Sequence, residues 1–340
     1  MSLANKVSKK IRDSLELARH QKFEGSLGLI PEAYTDPDYF EVEKEVLFKK
    51  QWQCIARVEQ LEKTGDYIAL TVSDVPIILS KTKSGEIKAL ANVCQHRSAT
   101  LVEEGNGNKR KFSCPYHAWT YELSGELFSL PLEEGFHNFD KSKCKLPEFR
   151  LEIWEGFIFI NISGDAEPLA PQLENAKKAF APWGLSEMKV VHSFWRRDLP
   201  WNWKVFTENA AEIYHIMCAH KNTLEVAIAT RSAFVKVKDK GMTSLGGLVS
   251  KEVQDMFDLS LIPDLEVASE GHANLVYPYL IFAVFPTNTT WVRIVPKSVN
   301  SIDLEFITLQ PHYMANDSLT SQAELESWGS LWQKFRMKMK

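Results

Sequence analysis

Two short clips constrain this chain more than anything else in it: Cys94-Gln95-His96 and Cys114-Pro115-Tyr116-His117, separated by residues 97–113. Each brings one thiolate and one imidazole, so together they offer two sulfur and two nitrogen donors. Thiolates hold iron–sulfur clusters, and a [2Fe–2S] cluster can take two His in place of two Cys on one of its irons. Replacing anionic thiolate by neutral imidazole leaves the cluster less negative, so it accepts an electron more readily. Structural zinc is the rival, because Cys₂His₂ is also a zinc donor set. Zinc fingers, however, keep Cys with Cys and His with His at each clip. The mixed clips favour the cluster.

The surroundings of the clips read as β structure. Tyr67–Val72 and Val75–Leu79 are rich in β-branched residues, and Lys83-Ser84-Gly85-Glu86 is a hairpin turn leading into 87–93 and the first clip. A Gly/Asn tip at Gly105–Asn108 precedes the second clip, and Ile153–Ile162 is expected as the last strand. Ahead of this region, residues 1–20 read as an amphipathic surface helix with Val7, Ile11, Leu15 and Leu17 at helical spacing. An extended lead-in at 29–37 and a second helix over 38–53 follow. Glu167-Pro168-Leu169-Ala170-Pro171 marks a boundary. Beyond it the pattern is α+β, with a helix at 172–180, a strand at 190–198, a long helix after Pro200, three later strands and a polar helix from Ser318. The expected division is 1–49 as N-terminal helices on a catalytic domain, 50–165 as the cluster domain, and 166–340 as the catalytic domain.

Net charge is −4 with no basic excess, which gives no footprint for nucleic acid. No apolar run approaches a membrane span, and the N-terminus lacks the apolar core of a secretion signal. Five Cys is an odd number for a disulfide framework, so a reducing, cytoplasmic location is expected. Cys54, Cys144 and Cys218 read as buried small hydrophobes.

A second chemical motif lies in the helix after Pro200, Asn202 to His220. On a continuous helix Glu208, Glu212 and His215 share one face, while His220 is about 140° from His215. Both imidazoles reach one metal only if the helix is locally wide or broken, as happens at functional sites. Two His with a carboxylate and open positions is the donor set of non-haem Fe(II) oxygen chemistry. A lone His pair on a helix is weak, and Glu208 and Glu212 read equally as a solvated face. A redox cluster in the same chain changes that balance, because an O₂-activating iron needs electrons one at a time.

With both motifs in order, the chain resembles the catalytic (alpha) subunits of Rieske non-haem iron oxygenases. Cys94, His96, Cys114 and His117 match the family's cluster motif. Asn202-Trp203-Lys204, Glu208-Asn209, Tyr214-His215 and His220 match its iron motif. The resemblance runs from about Leu29 to the end of the chain. It implies an α+β fold, with an all-β Rieske domain inserted near the front of a helix-grip (START-like) catalytic domain. The [2Fe–2S] cluster would be held by Cys94, His96, Cys114 and His117, and a mononuclear Fe(II) by His215 and His220. An NADH- or NADPH-dependent reductase, sometimes with a ferredoxin, would supply electrons. A homotrimer would pair one subunit's cluster with the next subunit's iron. The reaction would insert oxygen from O₂ into a small organic substrate, by ring hydroxylation or by hydroxylation or demethylation of a quaternary ammonium compound. The competing class is a Rieske-type electron carrier with a non-catalytic binding domain.

By the same resemblance Glu212 occupies the acidic position that bridges His215 to His117 of the partner subunit, and Asn209 is a neighbour of the iron. Many members have Asp where this chain has Glu212; Glu resembles the members that oxidise carnitine, choline or glycine betaine. The family's third iron ligand is an Asp in an acidic run on a C-terminal helix. The helix expected over 322–340 has no such run, and Asp317, Glu324 and Glu326 lack the context. The ligand is therefore expected beyond Lys340, the alternative being a site with two His only. Trp119 and Tyr121 are expected to cover the cluster, and the Tyr116 hydroxyl to reach a cluster sulfur. The substrate pocket is expected to be lined from 225–285, with Leu224, Val226, Ile228, Leu248, Phe282 and Val284 among the apolar candidates.

Overall fold

The computed structural model describes residues 7–22, 25, 27–238, 241–255, 262, 264–278 and 280–314. The chain divides into two compact units, Lys44–Glu167 and the combination of Met1–Glu43 with Pro168–Lys340.

The Lys44–Glu167 unit is built from β1 (Gln53–Arg57), β2 (Asp66–Val72), β3 (Val75–Lys81), β4 (Ile87–Ala91), β5 (Gly105–Asn108), β6 (Phe112–Ser113), β7 (Thr120–Tyr121), β8 (Leu127–Ser129), β9 (Glu148–Trp154) and β10 (Phe157–Asn161). Seven of them form one sheet in the order β1-β10-β9-β4-β3-β2-β5, and β6-β7-β8 form a small second sheet. Strand β3 shows why its sequence is a continuous apolar run. Ile77 and Leu79 enter one core cluster and Ile78 the other, so both faces are buried. The single strand expected over Ile153–Ile162 is instead a hairpin. Glu155 and Gly156 both take positive φ at its turn, as a two-residue hairpin loop requires. The buried Arg57 guanidinium donates to the Glu155 carbonyl at 2.9 Å and leaves no room for a Cβ at Gly156.

In the other unit, β11 (Lys189–Leu199), β12 (Phe234–Lys238), β13 (Met242–Leu248), β14 (Glu270–Val276), β15 (Leu280–Val284), β16 (Thr289–Ser298) and β17 (Ser301–Gln310) form an antiparallel sheet ordered β11-β17-β16-β15-β14-β13-β12. One face is closed by the helix Glu174–Phe180 and the turn after it: Phe180 meets Phe282 and His272, and Trp183 meets His272. The apolar turn Leu169–Gln172 is separate from that helix rather than part of it. Helix Lys9–His20 buries Ile11 but exposes Leu17, so its apolar stripe is narrower than the spacing suggested. The lead-in contains a helical turn, Glu32–Thr35. The second helix covers Pro37–Glu43 and widens to π geometry over Lys44–Phe48, ending before the expected residue 53.

The helix after Pro200 is not continuous. It spans Trp203–Ala210, and a separate short helix spans Ile216–Ala219. Its start is well fixed. The Asn202 side chain accepts from the Lys204 N–H at 3.0 Å and donates to the carbonyls of Tyr34 and Val299 at 3.0 and 2.7 Å. Buried Glu43 accepts from the Lys204 ammonium at 2.7 Å and from the Trp203 indole at 3.1 Å. Within the break a Glu212 carboxylate oxygen accepts from the His215 backbone N–H at 3.2 Å, so a side chain takes the N–H that a continuous helix would give to the carbonyl four residues back. The expected polar helix from Ser318, with Asp317, Glu324 and Glu326, lies outside the described residues.

Candidate metal centres and cavity

The two clips sit in loops with the same backbone design. In the first, the Cys94 N–H donates to the Ala99 carbonyl at 2.8 Å and the Ser98 N–H to the Cys94 carbonyl at 3.0 Å. In the second, Cys114 and Trp119 repeat the first bond at 2.8 Å, and Ala118 and Cys114 the second at 3.0 Å. The fifth residue of each loop, Ser98 and Ala118, takes positive φ, 56° and 55°. Each loop is closed at its base. Asn92 accepts from the N–H groups of Leu101 and Val102 and donates to the Val102 carbonyl, while Ser113 pairs with Thr120 across β6 and β7.

Both thiols point inward, with Cys94 and Cys114 2% and 4% exposed, while the His117 imidazole is exposed and that of His96 half-buried. The His96 and His117 rings lie 4.7 Å apart between centroids. No three His, Cys, Asp or Glu side chains among the described residues gather tightly enough to share one metal ion. A two-iron cluster asks only for pairs, two sulfur ligands on one iron and two imidazoles on the other. The donor set therefore fits a [2Fe–2S] group with its thiolate end buried and its imidazole end at the surface.

Two aromatic expectations sort differently. Trp119 stacks on His96 at 4.9 Å and 7°, and the Tyr121 hydroxyl lies 3.4 Å from the Cys94 sulfur while accepting from the Gln95 N–H at 3.0 Å. Burial, then the Cys94 contact, pushes the Tyr121 phenol up, so it stays a protonated donor. Tyr116, expected to reach a sulfur, is 59% exposed and packs against the His117 ring at 3.8 Å. The sequence offered no sign of the exchange, because which tyrosine reaches inward depends on the β7 pairing. Of the remaining cysteines only Cys54 is buried; Cys144 is half-buried and Cys218 exposed, against expectation.

The helix break brings the second pair of imidazoles together: the His215 and His220 rings are 5.1 Å apart and 76° inclined. The Nδ1 of His215 is hydrogen-bonded to Glu212 Oε1, and the Asn209 amide lies 3.4 Å from the same nitrogen. With Nδ1 engaged, Nε2 is the nitrogen left for a metal. Glu208 points elsewhere and accepts from Tyr34 at 2.9 Å through both oxygens, which with burial pushes that phenol up to about 12. Both His fit a mononuclear iron. The third ligand expected beyond Lys340, and the acids Asp317, Glu324 and Glu326, lie outside the described residues.

His215, His220, Asn209 and Glu212 line a cavity of about 630 Å³ on the sheet face opposite Phe180. The wall differs from expectation by one strand register. On β15 it is Ile281 and Ala283 that face the cavity, whereas Phe282 and Val284 pack beneath the helix on the far side. Leu224 and Ile228 do line it; Val226 and Leu248 are exposed. Phe194, Arg196, Leu304 and Phe306 from β11 and β17 complete the wall and were not anticipated.

Comparison with known proteins finds a family model in each of the two units. Residues 51–146 match the model of the Rieske [2Fe-2S] domain, and residues 185–332 that of the ring hydroxylating alpha subunit (catalytic domain). The chain belongs to the Rieske-type ring-hydroxylating oxygenase alpha subunits. It is similar to the carnitine monooxygenase oxygenase subunit of Escherichia coli (strain K12), 36% identical over 189 residues, 55% of this chain and 50% of that protein. It also resembles the anthranilate 1,2-dioxygenase large subunit of Acinetobacter baylyi, 30% identical over 207 residues, 58% of this chain and 44% of that one. The chain spans about half the length of these relatives. Among solved structures, the quaternary ammonium Rieske monooxygenase CntA in complex with L-carnitine superposes with a TM-score of 0.75 at 26% identity, over 90% of this chain and 82% of that one.

Proposed function

We propose that this chain is the terminal oxygenase component of a Rieske system. It would take electrons from an NADH- or NADPH-dependent reductase, with or without a ferredoxin, and insert oxygen from O₂ into a small organic molecule. The observation that carries this is the break between Ala210 and Ile216. It sets His215 and His220 side by side at the wall of a mostly apolar cavity, in a chain that also carries the cluster loops. A cluster on Cys94, His96, Cys114 and His117 would supply single electrons, and an Fe(II) on His215 and His220 would supply O₂ activation.

The residues of the chain do the rest. Glu212 keeps the His215 proton on Nδ1 and fixes the ring, so that Nε2 faces the cavity. The Asn209 side-chain amide lies 3.4 Å from Nδ1 and packs against that end of the ring. The outward imidazole of His117 suits a contact across subunits. In a homotrimer Glu212 would also accept from His117 of the partner subunit, holding both rings in one orientation. The domain assignment that goes with this is 1–49 with 166–340 for catalysis and 50–165 for the cluster, in a cytoplasmic enzyme. The relatives act on a quaternary ammonium compound or an aromatic acid, and Glu212 in place of Asp favours the former.

The test is reconstitution with a reductase, NADH and O₂ on quaternary ammonium and aromatic substrates. Product formed in step with O₂ uptake supports the oxygenase. Reduction of the cluster with no O₂ consumption on any substrate would leave the electron carrier.

A further inference from the structure

Arg196 is the feature of the cavity that the oxygenase reading leaves unused. On β11 it lies on the cavity side with Phe194, while Trp195 does not line the cavity; Arg197 also borders it but is already paired with Asp303 at 2.9 Å. The cross-strand partners of Phe194 and Arg196 are Phe306 and Leu304, which also face the cavity. The guanidinium thus stands on an apolar wall. It lies 4.9 Å over the Phe194 ring, and among the described residues its one hydrogen bond is a long one, 3.5 Å to the Trp195 carbonyl.

Among the described residues no carboxylate lies within ion-pair distance of it. Asp198 borders the same cavity without forming an ion pair with Arg196, and the other acids nearby are engaged, Glu212 with His215 and Asp303 with Arg197 and the Asp198 N–H. A cation facing an apolar space loses hydration without recovering it from a partner, and a guanidinium is shaped to take both oxygens of a carboxylate at once.

We propose that Arg196 is the anion-binding residue of the cavity, and that the substrate is a small organic acid whose carboxylate it holds. The rest of the molecule then lies along Phe194 and Phe306 towards His215 and His220. This rests on the oxygenase reading for what happens to the substrate, but the binding claim stands without it. A cation with no acid group is a poor ligand of such a site, because it meets Arg196 as a like charge.

The test is equilibrium binding by calorimetry and thermal shift to the full chain. A panel of acids, including glycine betaine and benzoate, is each set against its own primary amide. The acid is expected to bind roughly ten- to a hundredfold more tightly than the amide, the scale of one charge-assisted hydrogen-bonded pair. Arg196→Met is expected to remove that preference, weakening acid binding far more than amide binding, and Arg196→Lys to keep part of it. Wild-type protein that binds no acid better than its amide overturns the proposal, and so does an Arg196→Met variant that keeps the preference. The two readings fail separately. Acid binding that depends on Arg196 without coupled O₂ uptake sinks the oxygenase and spares the site. Turnover of neutral or purely cationic substrates, unaffected by Arg196→Met, does the reverse.

Discussion

In the Lys44–Glu167 unit the candidate ligands are held by backbone. Two loops with the same pair of hydrogen bonds and the same positive-φ residue present Cys94 with His96 and Cys114 with His117. In the other unit they are held by side chains: within a helix break Glu212 bonds both the backbone N–H and the ring of His215, whose ring lies beside His220. The first design fixes geometry before any metal arrives and offers all four donors within a short stretch. The second leaves the donor set open to residues far away in sequence. An electron carrier needs little reorganisation around its cluster, whereas a site that admits O₂ and substrate needs vacant positions. The two constructions follow from the two tasks.

That contrast can be broken in order of expected effect. Cys114→Ala removes one of two thiolates from a rigid loop, and the cluster's visible absorption and acid-labile sulfide should vanish altogether. Retention of both would mean that the loops hold something else. Glu212→Gln should leave both metal sites filled yet lower turnover roughly a hundredfold, the upper range for loss of a residue that orients a ligand. Turnover near the wild-type rate would separate Glu212 from catalysis.

A smaller effect sharpens the backbone side of the comparison. Tyr121→Phe deletes the hydroxyl beside the Cys94 sulfur, which favours the more negative, reduced cluster. The midpoint potential should fall by about 60 mV, a tenfold change in a one-electron equilibrium. An unchanged potential would show that the hydroxyl serves only the Gln95 N–H.

The smallest test concerns the sheet behind the cavity. Burial among Phe180, Trp183 and Phe234 holds the His272 pKa down to about 4, with Glu270 only partly offsetting it. The unfolded chain, with an ordinary value near 6.5, takes up the proton first as pH falls. The stabilisation is therefore complete above about pH 6.5 and lost between there and about pH 4. It amounts to on the order of 3 kcal/mol in denaturant titrations. His272→Phe should flatten that slope.

The legibility of the chain follows the same division. The cluster loops were readable because their four donors are close in sequence and their spacing has few meanings. His215 and His220 were readable as residue types, but a continuous helix would have set them about 140° apart. They meet because the helix is broken between Ala210 and Ile216, where Glu212 takes the His215 N–H, and a residue-type pattern does not announce that break. The cavity wall was misread for a different reason. In β15 every residue is apolar, so alternation carries no sign of which face is which, and Phe282 and Ile281 exchange places. Arg196 escaped notice because a single arginine in a strand ordinarily points to solvent. The hairpin at Glu155–Gly156 was missed because apolar residues continue on both sides of a two-residue turn.

The most direct test of the account is metal content, measured on wild type and on His215→Ala. Wild-type chain should carry about three irons and two labile sulfides. His215→Ala should lose only the iron outside the cluster and keep the sulfide and the visible spectrum. Wild-type protein with iron matching its sulfide, or a His215→Ala variant with unchanged iron, would contradict a second metal centre at the helix break.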